Sequence, residues 1–189
     1  MKRTVFALIA ATAMSVSASA AYAQMKVTSD EIKDGAVAKK PQEANVFGCN
    51  GDNISPSLKW SGAPAGTKSF AINIYDPDAP TGSGFWHWVV YNIPASTTSL
   101  PANAGNVKKD LMPKGAVQSR TDYGAPGYGG MCPPQGDKPH HYILTVYAVD
   151  EDTLQYAKDE NVSPAVVGFE LHFHAKAKAV LHWTYSRPK

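Results

Sequence analysis

The sequence predicts a mostly β fold with long loops and one helix near the C-terminus. Three observations lead there. Fourteen prolines and 15 glycines interrupt the chain too often for long helices over most of its length. Residues 69–76 alternate Phe70, Ile72 and Ile74 against Ala71, Asn73 and Tyr75, the period-two signature of a strand. Only beyond Ser163 does an apolar spacing of three and four residues replace that alternation.

In chain order, residues 1–23 read as a secretory signal peptide. Lys2 and Arg3 precede an apolar run over 5–14, and Ala21, Tyr22 and Ala23 supply the cleavage site. Removing them takes two of the 18 basic residues and none of the 16 acidic ones, so the formal net charge falls from +2 to zero. A neutral chain has no net field to gather a polyanion, and it carries no long Lys/Arg run, so nucleic acid is not an expected partner. No stretch reaches the ~20 apolar residues that a bilayer-spanning helix needs. Residues 24–189 are therefore expected to be one exported domain, periplasmic or secreted, not membrane-spanning, and long enough for a full core.

Strong strands are expected at 69–76, 87–93 and 140–149, whose apolar density suits central strands buried on both faces. Weaker ones are expected at 26–27, 58–60 and around 116–119. The helix should begin at Ser163 and Pro164, a capping residue followed by proline at the first helical position. Val166, Phe169, Phe173, Ala177 and Val180 then form the face expected to pack on a sheet, with 181–185 either continuing the helix or forming a closing strand.

Two connections carry unusual chemistry. The loop opening with Asp76, Pro77, Asp78, Ala79 and Pro80 places two carboxylates and two prolines at a strand end, and residues 124–134 are built of glycine, proline and tyrosine. Rigid rings hold such loops still, and glycine lets backbone groups face a ligand. Asp76 ends one strand and His87 begins the next, so an antiparallel pair puts both at one end of the sheet. If the strand opening at His140 runs parallel to that of His87, one carboxylate and two imidazoles converge at one rim, walled by Trp86, Trp88, Tyr123 and Tyr128. His172, His174 and His182 read as structural or solvated. The sequons at Asn53 and Asn161 are weak signals, since proline follows each.

At these residues the chain resembles the phosphatidylethanolamine-binding proteins, also called Raf kinase inhibitor-like proteins, in their bacterial branch. The resemblance rests on Asn53, Ile54, Ser55 and Pro56 with Leu58, Lys59 and Trp60, and on the Asp76 to Pro80 loop. It continues through Phe85, Trp86, His87 and Trp88 to Asn92, Ile93 and Pro94, and then through Cys132, Pro133, Pro134, Gly136, His140, His141 and Tyr142. It implies an antiparallel β-sandwich of a large and a small sheet with peripheral helices and a C-terminal helix. It also implies a shallow pocket for phosphate-like or phosphorylethanolamine-like head groups, inhibition of partner proteins by some members, and a homodimer. Carried over, the pocket uses Asp76, His87 and His140, with Pro80, Trp86, Pro133, Pro134 and Tyr142 lining or supporting it and Asp78 in the loop's own hydrogen bonds. Met131 and His141 depart from the pattern, standing where bacterial members commonly have proline and many have arginine.

The leading functional reading is a non-catalytic anion-binding protein without a cofactor that restrains a partner protein. The alternative is a metal-dependent enzyme using Asp76, His87 and His140 as a two-His-one-carboxylate site. A third is a cysteine hydrolase pairing Cys132 with His140. Cys49 and Cys132 are the only cysteines, and an exported chain favours a disulfide between them over two free thiols.

Overall fold

The computed structural model describes residues 24–189, so the leader read at 1–23 lies outside the described residues. The chain runs β1 (Lys26–Thr28), β2 (Ala36–Val37), a 3-10 turn (Lys40–Gln42), β3 (Leu58–Ser61), β4 (Ser69–Asp76), β5 (Phe85–Pro94), β6 (Ser99–Leu100), β7 (Val117–Gln118), β8 (His140–Val149), α1 (Pro164–His174) and β9 (Ala175–Tyr185). The three strong strands of the sequence are β4, β5 and β8, with β5 starting two residues earlier than expected. The three weaker ones are β1, β3 and β7.

Two sheets form, in the orders β2-β9-β8-β4-β5-β7 and β1-β3-β6. Their pairings are antiparallel apart from β2 on β9, a two-residue edge strand that departs from the wholly antiparallel large sheet expected. Alternation along the long strands feeds two apolar layers. Phe70, Ile72 and Ile74 of β4, Trp88 and Val90 of β5, and Tyr142, Leu144 and Val146 of β8 meet Leu58, Trp60 and Leu100 of the small sheet. On the opposite face Ala71, Val89 and Tyr91 meet Val167 and Leu171 of α1.

The helix begins as expected, with Pro164 in its first turn after Ser163, but its buried face differs. Phe169 and Phe173 are exposed, while Val167, Glu170 and Leu171 turn inward. Ala177 and Val180 lie in β9, which follows the helix without a loop and includes the undecided residues 181–185. From Ala175 onward the chain also alternates, with Ala179, Leu181, Trp183 and Tyr185 inward. In that alternation Ala177 turns inward and Val180 outward, breaking the helical spacing, and the pairing of β9 along β8 makes both residues strand.

Glu170 explains the inward polar position. It is 2% exposed and accepts the amides of Gln155, Tyr156 and Ala157 at 2.5, 2.8 and 2.6 Å, folding their loop onto the helix. Glu170→Leu strands these amides, each unsatisfied donor costing about 1–3 kcal/mol, so a loss of at least about 3 kcal/mol is expected in urea unfolding. A native-like midpoint would mean the amides find other partners.

Candidate functional site

Pro77 has no backbone N–H to donate and its ring fixes φ, so β4 stops at Asp76. The Asp76 carboxylate is 2% exposed and accepts two hydrogen bonds. One comes from the amide of Asp78 at 2.8 Å, which closes the turn. The other comes from Nδ1 of His140, also at 2.8 Å. The imidazole arrives there because β5 and β8 flank β4, both antiparallel to it, so both begin at the rim where β4 ends.

His87, two residues into β5, is held from the other side. Its Nδ1 lies 2.9 and 3.0 Å from the carbonyls of Gly129 and Gly130, and its own carbonyl accepts the Gly129 amide at 2.8 Å. Carbonyls only accept, so Nδ1 carries the proton. Glycine is required in this loop: a Cβ at Gly130 would stand 2.4 Å from the backbone of Gln42 and Ala44. The Asn53 side chain binds the same loop at both ends, accepting from the Gly130 amide and donating to the Tyr128 carbonyl.

Both imidazoles therefore spend Nδ1 on the protein. Among the described residues His87 Nε2 has no hydrogen-bond partner, and Asp137 lies 3.7 Å from His140 Nε2. The two rings line a cavity of about 150 Å³ with Asp76, the rigid Pro80, Pro133 and Pro134, and the aromatic Phe47, Phe85 and Tyr123. Among the described residues no Lys or Arg lines it. Burial pushes the His87 pKa below its ordinary value, against the pull of the Gly129 and Gly130 carbonyls and the Asp76 charge. Burial also pushes the Tyr123 and Tyr142 phenols up, so both stay neutral.

Asp76, Pro80, His87, Pro133, Pro134 and His140, far apart in the chain, thus meet at one cavity. Tyr142 lies beneath it, fully buried and edge-on to His87 at 5.2 Å. Trp86 does not line the cavity: a bulge at His87, between the pairs Ile74–Trp88 and Tyr75–Trp86, leaves His87 and Trp88 on one face and turns Trp86 to the other, where it packs on Tyr75 at 4.4 Å. Trp88 and Tyr128, expected as walls, are core residues bonded to Gln118 and to the Gln42 carbonyl. Asp78 is not confined to its own loop. It accepts from the amide and Nδ1 of His141 at 2.7 Å each, and these donors hold its carboxyl below the usual range. Phe47 was not foreseen, because no local pattern places residue 47 beside residue 123.

Cys49 and Cys132 form a disulfide with Cα atoms 5.9 Å apart, and Cys132 lies in the cavity wall. Neither sulfur is a thiol, which removes the cysteine-hydrolase reading. The metal reading fails on geometry. Asp76 and His140 are bonded to each other in series, and among the described residues the group whose ligand atoms lie within 4.8 Å of one another is Asp150, Glu151 and His174. There Lys176 already pairs with Asp150 at 2.5 Å.

Replacing Asp76 by Leu should leave the Asp78 amide and His140 Nδ1 without an acceptor and cost about 1–3 kcal/mol in urea unfolding. Asp76→Asn, which keeps an acceptor oxygen, should cost less. Equal stability of the Leu variant and the native chain would contradict this assignment.

A family model described as phosphatidylethanolamine-binding protein matches residues 28–186. The Escherichia coli protein YbcL is 51% identical over 167 residues, covering 88% of this chain and 90% of its own. YbhB of the same organism is 48% identical over 162 residues, covering 86% and 100%. The crystal structure of YbcL superposes with a TM-score of 0.83, covering 87% of this chain and 99% of that one. A putative homologue from Chlamydia trachomatis, 30% identical, superposes at 0.71 over 87% and 98%. Motifs, fold and relatives agree, and the chain belongs to the phosphatidylethanolamine-binding protein family.

Proposed function

We propose that residues 24–189 act as one exported, non-catalytic binding domain, periplasmic or secreted. In this reading the cavity floored by Asp76, His87 and His140 holds a small anion such as phosphate or a phospho-head-group, and its rim restrains a partner protein. Family membership supports binding rather than turnover. The lining also favours it, since the Thr81 hydroxyl is committed to the Gly84 carbonyl and Cys132 is in a disulfide, leaving no ready nucleophile.

The observation that carries the reading is the orientation of the two imidazoles. With each Nδ1 spent on the protein, a neutral ring has only a lone pair left at Nε2, and a lone pair repels an anion. Anion binding therefore requires a proton at Nε2. At His87 the anion itself supplies the charge that stabilises this second proton.

The sign of the pH dependence follows. Free His87 titrates below its ordinary value of about 6.5, so it is neutral at pH 7. A bound anion raises that pKa. Between the free and bound values binding takes up a proton, and affinity weakens as pH climbs through this window, by at most about tenfold per pH unit for each proton. Sulfate is the suitable probe because its charge is constant there. Calorimetry between pH 5 and 8 should show sulfate affinity falling with pH in the native protein, and His87→Gln and His140→Gln should each flatten the slope. A pH-independent affinity, or full slope in both variants, would move the anion away from these rings.

A further inference from the structure

The Cys49–Cys132 bridge stands between two cavities. Cys132 is half-buried and lines the cavity of His87 and His140. Cys49 is 6% exposed, and its chain neighbours Gly48 and Asn50 border a second cavity of about 350 Å³ together with Lys40, Glu43 and Arg187. The two sulfurs therefore differ in what reaches them. A solute has access to Cys132, while a protein group lies against Cys49.

That group is the Arg187 guanidinium, whose Nη1 is 2.6 Å from Cys49 Sγ and 3.5 Å from Cys132 Sγ. The loop after Cys132 holds it there: the Arg187 carbonyl accepts the Gly136 amide at 2.8 Å, and the Pro188 carbonyl accepts from the Gln135 side chain at 3.0 Å. Among the described residues Arg187 has no carboxylate partner. Glu43, the acid of that cavity, is taken by Lys40, the Asn50 amide and the Tyr185 hydroxyl. Disulfide sulfurs are weak, uncharged acceptors, so a guanidinium placed here does little for the closed bridge. It does much for an open one, because a neighbouring Arg favours a cysteine's thiolate, and a better stabilised thiolate leaves faster in thiol–disulfide exchange.

We propose that Cys132 is a thiolation site, at which a low-molecular-weight monothiol opens the bridge and Cys49 departs as a thiolate held by Arg187. The incoming thiol loses its proton to water, and its thiolate attacks Cys132 Sγ. A new S–S bond forms there as the Cys49–Cys132 bond breaks, and the electron pair of the broken bond stays on Cys49 Sγ. One disulfide replaces another, so the exchange consumes no oxidant. Attack at Cys49 is opposed by its burial, and would put the departing thiolate on the sulfur farther from the guanidinium. Return attack by Cys49 on Cys132 expels the monothiol and restores the bridge. This chemistry is independent of the anion-binding reading.

Reduced glutathione is the probe. The folded protein is incubated with it at neutral pH, exchange is stopped with acid, and the adducts are mapped by mass spectrometry after peptic digestion. Glutathione should be found on Cys132 in at least about tenfold excess over Cys49. Arg187→Gln, which touches neither apolar layer, should slow opening of the bridge by about three- to tenfold. Arg187→Lys keeps the charge and should recover most of the rate. In urea, where the fold no longer places Arg187, both the site preference and the effect of Arg187→Gln should vanish. Adducts shared equally between the cysteines of the folded protein, or a bridge that glutathione opens only in urea, would overturn the thiolation site. Opening as fast in Arg187→Gln as in the native chain, or as slow in Arg187→Lys as in Arg187→Gln, would overturn the role of the guanidinium charge.

Discussion

The site depends on a buried carboxylate that, among the described residues, pairs with no Lys or Arg. Asp76 is almost fully removed from water at the end of β4, so its oxygens must be satisfied by donors from the protein. The donors are the Asp78 amide and His140 Nδ1. The first folds the proline loop back over the strand end. The second sets the tautomer of His140 and aims its remaining nitrogen at the cavity. One hydrogen-bonded acid thus couples the shape of a loop to the chemistry of a ring.

The opposite wall follows the same logic with neutral partners. His87 is oriented by two backbone carbonyls, and those carbonyls are in place because glycine lets residues 129–131 pack against 42–44. The disulfide joins this loop to the segment carrying Phe47 across 83 residues of sequence, a closure worth about 4.5 kcal/mol in the chain-entropy model. Preorganisation here comes from backbone and covalent geometry rather than from a cluster of basic side chains. In the anion-binding reading proposed above, a site built this way has little attraction for an anion until a proton arrives, which would tie its affinity to pH.

Much of this was legible in the sequence because it rests on local pattern. The alternation in β4, the proline after Asp76 and the histidines near the starts of β5 and β8 put three ionisable groups at one rim by parity alone. What could not be read was set by tertiary pairing. Ala177 and Val180 continue the three- and four-residue spacing of the helix, and their pairing along β8, which puts them on opposite faces, makes them strand. Trp86 neighbours a site residue in sequence yet faces away from it, because a bulge at His87 breaks the alternation between Trp86 and Trp88. Phe47 joins the site through contacts between loops distant in sequence, which leave no periodic trace.

In the proposed binding mode both imidazoles carry their proton at Nδ1 and gain a second at Nε2 when an anion binds. Nitrogen-15 NMR of the histidine rings, followed against pH with and without sulfate, measures this directly. The predicted result is the Nδ1–H tautomer for His87 and His140 in the free protein, a free His87 pKa below about 6.5, and a higher value with sulfate bound. An Nε2–H tautomer at either ring, or a His87 titration that sulfate leaves in place, would contradict it.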